Sequence, residues 1–346
     1  MPINRYQSRL PILALAMSCL LAACGGGSDG TVDDVAAKAR RVQRSAPQQP
    51  SAPKPSASPS TPLQANAQPN TQATTTAPAP VPAALSVQSA QTLQVLVPAY
   101  FYPLPGSGWD SLTTTAKTVP SVAVTAILNP SNGPGNKVDA QYSKAIGSFV
   151  QAGGKIIGYV STRYGNGGVS QATVRAHIDR YLAFYGRENI GGFFIDEMSN
   201  KSAQLGFYRD LYDYIKGLDS KLQVVGNPGT LPVADYAQVA DTLVTFEGQA
   251  SAYARFNPQP SYGWVYDQPR QKQAMLVHDA LDCRSMQSSL STAATERSHT
   301  GWVYATDLQY DYANNIGDPW AKLPTYWDKL LLSVDAINKG SALPSC

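Results

Sequence analysis

The sequence predicts an α/β protein of the (β/α)8 TIM-type barrel class over residues 92–346. Eight short aliphatic or β-branched runs, segments of helical period between them, and a span close to the roughly 250 residues that such a barrel takes carry that expectation. In order, the runs are Leu93–Tyr100, Val122–Leu128, Lys155–Val160, Gly192–Asp196, Leu222–Gly226, Thr242–Glu247, Ala274–Val277 and Trp302–Ala305. Eight is the number that a closed parallel barrel needs. Between them, Ala140–Ala152, Gln171–Tyr185, Ala203–Leu218 and Thr325–Asn338 place apolar residues three and four apart, the spacing of one helix face. In the third, Leu205, Tyr208, Leu211, Tyr212 and Ile215 form one stripe. Apolar strands alternating with amphipathic helices imply parallel pairing with both sheet faces covered. A doubly wound open sheet is the alternative, but no glycine-rich phosphate loop follows the first run to favour it.

Residues 1–23 have the layout of a secretory signal. Arg5 and Arg9 precede an apolar run from Leu10 to Leu21, too short to span a bilayer, and small residues follow. Leu21-Ala22-Ala23-Cys24 resembles the bacterial lipobox, which implies acylation of Cys24 and a lipid anchor in the membrane. Gly25 rather than Asp after the cysteine points to the outer membrane or cell surface of a diderm host. An ordinary signal with an incidental cysteine is the alternative. Residues 24–91 are rich in Ala, Pro, Ser, Thr and Gln and nearly free of large apolar side chains, so they are expected to form a disordered spacer. The basic cluster Lys38, Arg40, Arg41 and Arg44 within it reads as a solvated charge run.

Of the four cysteines, Cys19 leaves with the signal and Cys24 is acylated on this reading, so Cys283 and Cys346 remain in an oxidising compartment and are expected to be bridged. A net charge of +3 without a basic stripe argues against nucleic acid as a partner. His177, His278 and His299 are scattered, without paired spacing, so neither a metal nor another cofactor is expected. A monomer is the expected state.

In a barrel of this class the site is built at the carboxyl ends of the strands. Asp196 and Glu197 follow Phe193-Phe194-Ile195, and Glu247 follows Leu243-Val244-Thr245-Phe246. A carboxylate at the mouth of a closed barrel is costly to desolvate unless it is paired or functional. Catalysis is therefore the leading role for Asp196 and Glu247, with a helix cap or ion pair as the alternative, one that fits Glu197 better. Strand alternation allows one of Asp196 and Glu197 to face the axis; we take it to be Asp196, with Glu197 at the cleft edge. Tyr100, Tyr102, Asn129, Tyr159, Tyr164, Asn227, His278 and Asp307 also lie at or just after strand ends and are candidates to line the cleft. No Gly-x-Ser-x-Gly nucleophile elbow is present, which leaves carboxylate chemistry.

The strings LVPAYFYP, ILNPSNGPG, GKIIGYVSTRYG, GGFFIDE, VVGNPGT and TFEG, in this order, resemble the spherulin-4 family, glycoside hydrolase family 135, from about Val95 to Leu331. The resemblance implies a (β/α)8 barrel that hydrolyses internal α-1,4 linkages of galactosamine-containing exopolysaccharide, with the family's acidic residues falling on Asp196, Glu197 and Glu247. By analogy, Asp196 is the nucleophile and Glu247 the acid/base of a retaining reaction. A non-catalytic exopolysaccharide-binding lipoprotein and a transglycosylase using the same carboxylates are the competing functions. Retention of both carboxylates argues against the former.

Overall fold

The computed structural model describes residues 92–259 and 261–346; the expected signal 1–23, the acylation point Cys24 and the spacer 24–91 lie outside the described residues. Strands β1 (Gln94–Ala99), β2 (Val124–Leu128), β3 (Lys155–Ser161), β4 (Ile190–Asp196), β5 (Gln223–Gly226), β6 (Thr242–Gln249), β7 (Gln273–His278) and β8 (Trp302–Ala305) pair in chain order, all parallel. β8 returns to β1 through Gln94↔Trp302 and Val95↔Val303, so the barrel is closed. Burial on both faces explains why these strands read as continuous apolar runs. Every residue of β2 and β7 is buried.

The helices are α1 (Gly108–Thr118), α2 (Ala140–Gln151), α3 (Gln171–Tyr185), α4 (Leu205–Leu218), α5 (Ala250–Tyr253), α6 (Cys283–Ala294) and α7 (Trp327–Lys339). Tyr208, Leu211 and Ile215 of the expected α4 stripe are fully covered, while Leu205 and Tyr212 pack at its margin. Each such buried side chain contributes about 1.5–3 kcal/mol. Two helices carry little apolar signal and begin on side-chain caps. Ser107 accepts from the Trp109 amide ahead of α1, and Asp282 accepts from the Ser285 amide at 2.7 Å ahead of α6. The outer ring is incomplete: β5 is followed by a 3-10 turn, Ala234–Gln238, and β6 by the single turn of α5. The chain between β8 and α7 folds into a hairpin, β9 (Tyr310–Asp311) and β10 (Ile316–Gly317), which strand periodicity did not signal.

At the amino-terminal end of the barrel, Asn338 of α7 clasps the backbone of Leu93: its Oδ1 accepts from the Leu93 amide at 2.7 Å and its Nδ2 donates to the Leu93 carbonyl at 3.0 Å. After α7 the chain doubles back. Gln287 of α6 donates to the Pro344 carbonyl at 2.8 Å, Lys329 donates to the Ser345 carbonyl at 2.9 Å, and Cys346 is bridged to Cys283, 63 residues earlier. Thiol counting on the denatured, unreduced domain, residues 92–346, should find none; two free thiols would contradict the bridge.

Candidate active site

The site is a matter of strand register. β3 and β4 align Tyr159↔Phe194 and Ser161↔Asp196, which puts Tyr159, Ser161, Phe194 and Asp196 on one face. Across β4 and β5, Ile195 stands beside Gly226, so Asn227 follows beside Asp196. β6 takes one residue more than its partner: Val244 pairs with Ala274, but Phe246 pairs with Met275, leaving Thr245 as a bulge. Had Thr245 kept its place in the alternation instead of forming that bulge, Phe246 would turn toward the barrel interior and Glu247 outward. With it, Phe246 packs outside against Tyr253 and Phe256, at 4.8 and 5.4 Å between ring centroids, and Glu247 joins the face of Asp196.

One amide holds the two carboxylates. Asn227 Nδ2 donates to Asp196 Oδ1 and to Glu247 Oε2, each at 2.8 Å. Those oxygens therefore lie no further apart than twice that distance. That bound admits the roughly 5–5.5 Å of a retaining pair. The amide cannot swing away, because Asn227 Oδ1 accepts from the Gly229 amide at 2.9 Å. Its backbone N–H donates to Ile195 at 2.8 Å, and its carbonyl accepts from Met198 at 2.9 Å. Gly229 closes this turn at φ 66°, in the left-handed region, and a side chain there would be strained.

Asp196 Oδ2 accepts from the Tyr159 hydroxyl at 2.6 Å, and Glu247 accepts a further hydrogen bond from the side chain of Trp320. Both carboxylates keep partial exposure at the cleft floor. Desolvation raises Asp196 to about 6, with the neighbouring Glu197 charge adding to the rise and the Tyr159 and Asn227 hydrogen bonds opposing it. Desolvation, followed by the charge of Asp196, raises Glu247 to about 7, against the bonds from Asn227 and Trp320. Burial and then the Asp196 charge push the Tyr159 phenol well up, which keeps it a donor. Tyr100 meets Tyr159 edge-on at 5.6 Å and is raised by burial, then by Asp196 and Glu247.

Glu197 is buried and turns off the strand at φ 50°. Its carboxylate accepts from the Ser161 hydroxyl and faces Arg163 Nε at 3.5 Å. Its carbonyl accepts from the Tyr164 amide at 2.7 Å and thereby shapes the Arg163–Gly165 turn, which puts Tyr164 at the cleft edge near all three acids.

Four of the expected cleft residues have their polar groups committed elsewhere. Tyr102 donates to Asp139, the cap of α2, at 3.0 Å. Asn129 Oδ1 accepts from the Gly133 amide at 2.9 Å and closes its own loop. Asp307 caps the turn before α7 by accepting from the Thr325 amide at 3.2 Å and from its hydroxyl. His278 is 2% exposed beneath Tyr312, whose hydroxyl lies 2.8 Å from its Nε2. Sequence reasoning missed Ser161, Arg163, Tyr312 and Trp320. The last two lie in the long β8–α7 loop, whose length of about twenty residues is the signal that could have found them. Among the described residues no group of three or more His, Cys, Asp or Glu is placed to hold a metal ion.

Comparison with known proteins converges on one family. Spherulin-4 of Physarum polycephalum is 34% identical over 168 residues, which make up 48% of this chain and 48% of that protein; the chain thus spans about half the length of the curated relative it matches. Sph3 of Aspergillus clavatus, solved in complex with GalNAc, superposes with a TM-score of 0.58 and 25% identity over 72% of this chain and 99% of its own. A family model described as spherulation-specific family 4 matches residues 94–334, from β1 into α7, and the chain belongs to that family.

Proposed function

We propose that the protein is a retaining, endo-acting glycoside hydrolase that cleaves α-1,4-linked N-acetylgalactosamine or galactosamine in an exopolysaccharide, anchored at a bacterial cell envelope through Cys24. The observation that carries the chemistry is the Asn227 amide shared by two carboxylates, one raised to about 6 and the other to about 7, with bonded oxygens close enough for a retaining pair. The GalNAc bound by Sph3 supports the sugar class.

In this reaction Asp196 attacks the anomeric carbon while Glu247 delivers its proton to the departing glycosidic oxygen, and a glycosyl ester forms on Asp196. Water then displaces Asp196 and yields its proton to Glu247. In an α-linked 2-acetamido sugar the acetamido group is cis to the leaving oxygen and cannot attack from the back face, so either an enzyme nucleophile or an activated water is needed, and a retaining reaction takes the former. Tyr159 and Asn227 hold Asp196 in one orientation and stabilise its negative charge; Asn227 and Trp320 do the same for Glu247.

The free enzyme is active with Asp196 ionised and Glu247 protonated. A narrow bell in kcat/KM is therefore expected, its acid limb near pH 6 from Asp196 and its alkaline limb near pH 7 from Glu247, as macroscopic values of an interacting pair. A profile flat from pH 5 to 8 would contradict it. The substrate is tested by incubating residues 92–346 with partially deacetylated α-1,4-galactosaminoglycan and reading the products by mass spectrometry. Internal oligosaccharides are expected, released first as the α-anomer by NMR; an intact polymer would overturn the proposal.

A further inference from the structure

The β8–α7 loop touches the Glu247 side of the cleft twice. On its returning limb, Trp320 donates to the Glu247 carboxylate. On the β9–β10 hairpin, the Tyr312 hydroxyl meets His278, which stands two residues beyond Leu276, the β7 partner of Glu247, and so shares the face of Glu247. Tyr312 is 37% exposed, and Tyr310 meets its ring in a T-shaped contact at 4.9 Å.

The ring is held in place from below. His278 Nε2 lies 2.8 Å from the Tyr312 hydroxyl, and His278 Nδ1 faces Asp279 Oδ2 at 3.5 Å. Asp279 favours the Nδ1–H tautomer, so Nε2 accepts from the phenol. The base of the hairpin is sewn to the end of β7 by two backbone bonds, Asp279 N–H to the Leu308 carbonyl and Ala280 N–H to the Thr306 carbonyl, each at 3.0 Å. An exposed aromatic pinned by a buried histidine is rigid, and a rigid aromatic face loses little conformational entropy when a sugar ring packs on it.

We infer that Tyr312 forms the first sugar-binding position on the leaving-group side of the cleft, with His278 as its positioning residue, and that the substrate must therefore extend beyond the scissile bond. The inference rests on the reading of Glu247 as the proton donor. A general acid sits against the glycosidic oxygen, so the sugar that departs with that oxygen lies on the acid's side of the site, and on that side the loop presents Tyr312. His278 thus reaches the substrate through the tyrosine and not through a direct sugar contact.

The test compares galactosaminoglycan with α-N-acetylgalactosaminyl fluoride, which carries no sugar on its leaving group. Tyr312→Ala is expected to lower kcat/KM on the polymer by about tenfold or more, chiefly through KM, and by a far smaller factor on the fluoride. Tyr312→Phe, which keeps the ring and loses only the tether, should fall between Tyr312→Ala and wild type on the polymer. His278→Gln should follow Tyr312→Phe. Equal losses on both substrates with an active wild type would overturn the inference alone, as would Tyr312→Phe falling as far as Tyr312→Ala. A wild type that cleaves neither substrate would overturn the reading of the site and the inference with it.

Discussion

Asp196→Asn is expected to lower kcat on galactosaminoglycan by about 10³- to 10⁵-fold without unfolding the barrel, because in the proposed reaction it removes the nucleophile from a step that no other group can take over. The fold should hold: an asparagine at this position can accept from Asn227 through its carbonyl and donate to the Tyr159 oxygen. Glu247→Gln should lose as much on the polymer, but far less on α-N-acetylgalactosaminyl fluoride, whose leaving group needs little protonation. Glu197→Gln should be milder than either, since its carboxylate is occupied by Ser161 and Arg163 and it acts by shaping the turn that bears Tyr164. The check is steady-state kinetics of the three variants on both substrates, with circular dichroism to confirm folding. Near-wild-type turnover by Asp196→Asn would remove it as nucleophile; a loss in Glu197→Gln as deep as the other two would place that carboxylate in the reaction itself.

The same substitutions should raise thermodynamic stability at neutral pH. Asp196 and Glu247 have folded-state values raised from 3.8 to about 6 and from 4.5 to about 7, so the folded chain binds these protons more tightly than the unfolded one. The stability associated with that extra affinity is fully present below about pH 4 and is lost as pH rises through the folded values, between about pH 4 and pH 7. A tenfold change in proton affinity corresponds to about 1.4 kcal/mol, and with partial exposure at the cleft floor about 2 kcal/mol per carboxylate is expected at pH 8. Urea midpoints of wild type, Asp196→Asn and Glu247→Gln measured at pH 4 and pH 8 check it. The variants should gain on wild type only at the higher pH. A gap that is the same at both would show that the two carboxylates are not held at a cost.

The barrel was legible because parallel strands buried on both faces leave uninterrupted apolar runs, and because α2, α3, α4 and α7 each bury a stripe. α1 and α6 were not, since their interiors are rich in Ser, Thr and Gln and their starts depend on the caps Ser107 and Asp282. Asp196 and Glu247 stood out as charges ending apolar runs, yet the bulge at Thr245 that aims Glu247 into the barrel leaves no mark in a pattern of alternation. Asn227 was visible only as a strand-end amide; that it touches both carboxylates depends on the pairing of β5 between β4 and β6, which local periodicity does not encode. Asn129, Asp307 and Tyr102 were drawn toward the cleft by their place at strand ends, and hydrogen bonds to neighbouring loops and caps engage their polar groups, while His278 meets the cleft through Tyr312. Tyr312 and Trp320 arrive from a loop far along the chain, where no strand-end rule would look.

The clasp of Asn338 on Leu93 fixes where the chain enters the barrel, at the end opposite the carboxylates, whereas the tail bridged to Cys283 finishes near the loops of the open end. The molecule thus has a front and a back. Grafted to a solid support through its first residues, the domain would look outward and present its mouth to a polymer arriving from solution; grafted through Cys346, it would face the support and be shielded by it.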